Sequence, residues 1–251
     1  MLGLIGIIVV FAMVFGGYIA AGGKMSIILK SLPYEMTMIL GAATGAFLIA
    51  NSGGVVRHTL RDLRKVFKGP AWSQGDYRDL LCLLFELLRL ARQNAVAVEA
   101  HIEDPAGSDI FGRYPRIQAD RDAVELSADT LRSAAMNYDD PHQVEEVLDK
   151  RLEERLHHAL HPAHALQTVA DGLPALGIVA AVLGVIKTMS SIDQPPEILG
   201  GLIGGALVGT FLGVFLSYGF VGPFSARVQT VVEEDHQFYL MIRQVPIANL
   251  H

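Results

Sequence analysis

Four stretches of this chain stay apolar for about the length of a bilayer crossing. Leu2 to Ala21 carries no charge, and neither does Met36 to Ala50, where Glu35 and Arg57 are expected to mark the headgroup zones. Leu173 to Met189 and Leu199 to Pro223 complete the set, separated by a short stretch with two prolines. A spanning helix needs about 20 mostly apolar residues, so the pattern predicts four spans. In the last of them glycine recurs every fourth residue, at Gly201, Gly205, Gly209 and Gly213. Glycine in a soluble helix costs about 1 kcal/mol against alanine. In lipid a stripe of glycine lets another helix backbone approach closely. The stripe is therefore expected to pack tightly against other helices, a partner's among them.

The polar middle reads as helix throughout. Asp76 to Glu99 sets Leu80, Leu84, Leu87, Leu88 and Ala91 at helical spacing, with Glu86 and Arg89 interrupting too often for a span. Ala119 to Met136 forms a second amphipathic stretch. A third begins at Pro141, which suits a first helical turn, and carries acids early and Arg and His late, as the helix dipole favours. It is expected to run on towards the third span with Pro162 and Pro174 as kinks. Past Pro223, RVQTVVEEDHQFYLMIRQV extends the fourth span. Strand signals are poor. The expected fold is an all-α integral membrane protein with four transmembrane helices and a large helical cytoplasmic domain between spans 2 and 3. Its parts are a hairpin over 1–54, the cytoplasmic domain over 55–168, a second hairpin over 169–223, and a C-terminal helix over 224–251.

Orientation follows from basic residues near span ends. Arg57, Arg61, Arg64, Lys65 and Lys68 follow span 2, whereas the loop after span 1 holds only Lys24 and Lys30. Both termini and the middle section are thus expected in the cytoplasm. A cleaved signal peptide fits poorly, because no basic segment precedes the first apolar run. A hydrophobic content of 51% agrees with a membrane chain, and one cysteine, Cys82, excludes an internal disulfide.

Candidate chemistry is sparse. His157, His158, His161 and His164 cluster, and His157 and His161 have a spacing that could share a metal. Pro162 disturbs that geometry, and a solvated helical face is the expected reading. No phosphate loop, nucleophile motif or paired-cysteine motif is present, so neither an enzyme nor a bound cofactor is expected. No basic stripe with aromatics points to nucleic acid. An ionisable group at mid-membrane is costly and usually functional. Glu35, Asp171, Lys187 and Asp193 all read as lying near span ends, so a carboxylate carrying ions across would have to come from a partner. Thr210 and Tyr218 are the polar groups span 4 offers. On spacing alone, back-bonding of Thr210 to its own helix is the expected use of its hydroxyl.

DGLPALGIVAAVLGVIKTM followed by EILGGLIGGALVGTFLGVFLSYGFVGP resembles the last two spans of the MotA-type flagellar stator subunits, within the MotA/TolQ/ExbB superfamily. LARQNAVAVEAHIEDP, SDIFGRYPRI and HPAHALQTVADGLPA resemble further segments in the same order, so the likeness covers nearly the whole chain. It implies a homo-pentamer around a dimeric MotB-type partner that supplies the membrane aspartate. Ion flow across the inner membrane would turn that ring against the rotor's FliG-type C-ring protein. A charge crossing 100 mV releases about 2.3 kcal/mol. The resemblance puts the family's two functional prolines at Pro174 and Pro223 and its aspartate-facing threonine at Thr210. Ala181 falls where sodium-driven relatives carry threonine, which points to H⁺ over Na⁺ as coupling ion. Rotor contacts fall on Arg92 and Glu99, with Arg89 and Glu103 as neighbours and Arg89 competing for the basic role. The family's charged tail usually continues past the position of Pro246, whereas the sequence here ends at His251, as a truncation or a short tail. An ExbB/TolQ-type energiser of outer-membrane transport, with three spans, and a passive membrane scaffold are the alternatives.

Overall fold

The computed structural model describes residues 2–136 and 141–248. Among them the elements are helices: α1 (Leu2–Ala20), α2 (Met25–Ala50), α3 (Gly53–Asp62), α4 (Lys65–Lys68), α5 (Gln74–Gln93), α6 (Ala95–Glu103), α7 (Pro115–Gln118), α8 (Arg121–Met136), α9 (Pro141–Met189), α10 (Pro196–Leu216) and α11 (Gly222–Ala248). Four helical stretches are long and apolar enough to cross a membrane, in α1, α2, α9 and the α10–α11 run. The chain divides into two compact units, Met1–Gly69 with Leu160–Thr230 and Pro70–Ala159 with Val231–His251. Helices α9 and α11 contribute to both.

The apolar unit is built on α2, the second half of α9 and α10. Ile39 and Ala43 of α2 meet Leu173 and Ala180 of α9 and Val208 and Leu212 of α10 in one buried cluster. No residue of α1 is buried. It is held at one edge by an aromatic ladder, with Phe11 edge-on to Phe215 at 5.7 Å and tilted against Phe220 at 5.2 Å, and Phe15 edge-on to Phe211 at 6.0 Å. Edge-on pairs of this kind add about 0.5–1.5 kcal/mol each beyond the area they cover.

Two sequence expectations about boundaries are corrected here. The second span does not begin after Glu35. Helix α2 runs unbroken over 26 residues from Met25, through Lys30, Pro33 and Glu35. A charge marks a span end only if it needs water, and Glu35 is instead turned inward, 6% exposed. The second correction concerns Asp76 to Glu99, which is two helices. Asn94 is extended (φ −157°, ψ 98°), and its side chain accepts hydrogen bonds from the Val96 and Ala97 amides at 3.1 and 3.3 Å. An asparagine that satisfies the first free amides of a new helix competes well with continuing the old one. By contrast, Pro162 and Pro174 interrupt nothing, and α9 is one helix of 49 residues.

The polar unit has its own core. Leu80, Leu83, Leu84 and Leu87 of α5 pack with Phe111, Ile117, Leu148, Leu152, Phe238 and Ile242. Helix α5 starts in a capping box, the Ser73 amide and hydroxyl donating to Asp76 at 2.7 and 2.6 Å. Arg116 reaches the same carboxylate oxygen at 2.6 Å. Burial works to raise the Asp76 carboxyl, but the Ser73 hydrogen bonds and Arg116 outweigh it and hold it below its ordinary 3.8. A carboxyl depressed by folding stabilises the native state above its unfolded value, and that stability is lost as pH falls through the folded value. The polar unit should therefore loosen below about pH 3.8. Asp76→Asn should flatten that acid limb, read by the fluorescence of Trp72, the one tryptophan in the chain.

Candidate functional site

The centre of the apolar unit is the crossing of α9 and α10, which touch backbone to backbone. A Cβ built on Gly177 would stand 2.8 Å from the Gly209 carbonyl oxygen and 2.9 Å from the Gly213 Cα. One on Gly213 would stand 2.6 Å from the Leu173 carbonyl oxygen and 2.8 Å from the Gly177 Cα. Further along, a Cβ on Gly184 would stand 2.7 Å from the Ala206 Cβ and 2.9 Å from its Cα. Gly205 faces Ser31 of α2, and of the four glycines in the stripe Gly201 alone looks onto open space. The glycine stripe was expected to pack against a partner helix. At Gly209 and Gly213 the nearest atoms belong to this chain's own helices, because a groove without side chains admits a close backbone.

Pro174 lies in this crossing and leaves a mark on it. Proline has no amide hydrogen, so the carbonyl four residues earlier loses its helical partner. That carbonyl belongs to Ala170, and the Ser217 hydroxyl donates to it at 2.6 Å with both groups buried. Ser217 opens a single π turn, Ser217–Val221, between α10 and α11. Such widened turns are frequent at functional sites. Here it precedes Pro223, whose ring would otherwise strike the Gly219 carbonyl four residues before it. A second buried hydroxyl, Ser225, donates to the Ala163 carbonyl at 2.7 Å. The structure thus brings the Pro174 region of α9 to the turn before Pro223 through one hydrogen bond. Sequence reading missed Ser217, although a serine in an apolar span opposite a proline's freed carbonyl was a usable signal.

Ala181 also borders the crossing, its backbone nitrogen 3.1 Å from where a Gly209 Cβ would be. Thr210 follows Gly209 and is half-buried. Thr168 and Thr188 donate back to carbonyls four residues earlier. Thr210 makes no such bond among the described residues, which leaves its hydroxyl available. This departs from the back-bonding expected on spacing alone. Tyr218 and Pro223 are exposed. The expectation that Glu35 lies near a span end fails, because it sits well within α2 against Gly209.

In the polar unit, Arg89 lines a groove of about 1000 Å³ with Arg78, Phe85, Glu86, Arg113 and Tyr114. Glu86 accepts from Arg113 at 2.8 Å and from the Tyr114 hydroxyl at 3.0 Å. Burial, and then the Glu86 carboxylate, push the Tyr114 hydroxyl up to about 12, so it stays a donor. Arg92, Glu99 and Glu103 are exposed outside this groove. Asn94 separates Arg92 from Glu99, placing them on α5 and α6. The four histidines lie on α9. No group able to hold a metal ion occurs among the described residues.

Comparison with known proteins agrees with this layout. Residues 4–95 match the motility protein A N-terminal model, and residues 121–239 match the MotA/TolQ/ExbB proton channel family. Motility protein A of Escherichia coli K12 is 37% identical over all of this chain and 85% of its own length. In fold, the chain is similar to the C. jejuni MotAB structure (TM-score 0.73, 17% identity, 99% of this chain and 88% of that one). It is similar also to the flagellar MotAB stator complex of Bacillus subtilis (TM-score 0.71, 23% identity, 98% and 88%). Four spans and a full-length likeness of this strength make the chain a multi-pass membrane protein of the motility protein A family.

Proposed function

We propose that this chain is the ring-forming subunit of a flagellar stator, which with a MotB-type partner couples proton flow across the bacterial inner membrane to torque on the rotor. The observation that carries the reading is the full-length likeness to motility protein A, at 37% identity. The solved relatives are MotAB complexes, which supports a MotB-type partner for this chain. The N-terminal model match over residues 4–95 favours this reading over an ExbB/TolQ-type energiser. Both termini lie in the cytoplasm in this reading, following the basic cluster after span 2. The work is ion conduction, with no group-transfer chemistry. A pentamer of the chain surrounds the partner's helices, and the hydroxyl of Thr210 faces the partner's aspartate. Protons are the coupling ion, because Ala181 brings no hydroxyl to help replace the water shell of Na⁺. Arg89, Arg92, Glu99 and Glu103 are the charged groups offered to the rotor.

The test is swimming by cells that lack their own stator and carry this chain with its MotB-type partner. Motility should survive removal of sodium and stop on addition of a protonophore. Motility lost on sodium removal alone would overturn the ion assignment. A wild-type chain that restores no swimming beside its partner would overturn the stator reading.

A further inference from the structure

We propose that Glu35 is a proton-binding station of the ion path, carried by this chain in addition to the carboxylate of its partner. The inference rests on the stator reading and deepens it. Glu35 lies ten residues into α2 from Met25, about 15 Å along the helix axis. The residue is 6% exposed, and its Oε2 makes no hydrogen bond. That oxygen is seated in the glycine groove of α10, where a Cβ on Gly209 would come within 2.6 Å of it. The same Cβ would stand 3.1 Å from the backbone nitrogen of Ala181. The carboxyl therefore meets the crossing beside Ala181 and one residue before Thr210.

A lone carboxylate shielded from water is costly to keep ionised and persists where it is used. A side chain at 209 would crowd it. On its other side Glu35 opens onto a cavity of about 400 Å³, which also receives Ser31, Tyr34, Lys30 and Lys187. The titratable groups facing it are Lys30 and Tyr34 on α2 itself and Lys187 on α9, while the α10 wall, from Gly201 to Ala206, brings none. Two ammonium groups oppose a metal cation there. A site flanked by Lys30 and Lys187 therefore suits H⁺ and not Na⁺. Lys30 and Lys187 lie towards the two hairpin loops. Protons entering on that side reach Glu35 before the Thr210 region.

The experiment measures swimming speed against external pH for the full chain with its partner, at matched membrane levels and matched copurification of the partner. Wild type must first restore swimming; if it does not, the stator reading fails and not this inference alone. Glu35→Gln should lower speed several-fold and abolish its dependence on external pH, whereas Glu35→Asp should keep both speed and pH response. Speed and pH response unchanged in Glu35→Gln would overturn the proposal. So would Glu35→Asp as slow as Glu35→Gln at equal assembly, since shape and not proton exchange would then be at stake. If Glu35→Gln fails to assemble, Glu35→Asp decides: wild-type speed and pH response at equal assembly support the station, and loss of either overturns it.

Discussion

Replacing Gly213 with valine should remove the assembled protein from the membrane. The nearest atoms to the added Cβ, at 2.6 and 2.8 Å, are the Leu173 carbonyl oxygen and the Gly177 Cα. Both are backbone, so neither can swing aside as a side-chain tip would. Overpacking a close-packed site costs about 1–3 kcal/mol and sometimes more. Relief here requires α9 and α10 to separate, which would also pull Ser217 from the Ala170 carbonyl and reopen the gap that Pro174 leaves. Little else compensates, because helices in lipid associate by packing and hydrogen bonding with no hydrophobic drive between them. Gly201→Ala is the contrasting change, since its Cβ would meet nothing within 4 Å. It should leave the membrane level of the chain at that of wild type. The measurement is the amount of chain in detergent-solubilised membranes and the amount of partner copurifying with it. Equal yields for Gly213→Val and wild type would mean that the two helices do not meet at this contact.

The broad architecture was legible because a membrane span is a composition signal, and α1, the second half of α9 and α10 follow from apolar length alone. The close contact of α9 with α10 was half legible. The repeat of glycine announced a groove, but one sequence does not say which backbone fills it, and Gly177, its counterpart on α9, has no periodicity to betray it. Glu35 was misread for a physical reason. Charge in a sequence is a proxy for contact with water, and the proxy fails when a side chain points into a protein groove. The π turn was out of reach, since it depends on how the residues before Pro223 relax around a missing amide. Asn94 shows the converse, a helix break written in one residue but hidden by the leucine periodicity around it. The charges offered to the rotor rest on family resemblance alone. The fold separates Arg92 from Glu99 by a helix boundary and sends Arg89 alone into the groove beside Glu86.

Truncating Phe238 to alanine should cost the polar unit about 3–5 kcal/mol, the usual penalty for emptying a buried phenylalanine site. Phe238 is fully buried and stacks face to face on Trp72, with centroids 3.9 Å apart and planes 4° from parallel. Tyr77 and Tyr239 meet the same ring edge-on at 5.5 and 5.7 Å. No neighbour can collapse into the space without breaking a contact of its own: the Tyr77 hydroxyl donates to the Glu234 carbonyl, and that of Tyr239 to Asp120. Domains are stable by only about 5–15 kcal/mol in total, so this one ring holds a large share of the margin. A loss of that size lowers the melting temperature of a unit of about 100 residues by more than about 10 °C. Trp72 sits on the missing ring and should report the transition directly, in the full chain purified in detergent. Phe238→Leu restores most of the volume and should recover much of the loss. Because the groove holding Arg89 belongs to the same unit, swimming supported by Phe238→Ala should become temperature-sensitive while the chain still reaches the membrane. An unchanged Trp72 melt in Phe238→Ala would show that the stack carries none of this stability and that the leucines of α5 hold the unit by themselves.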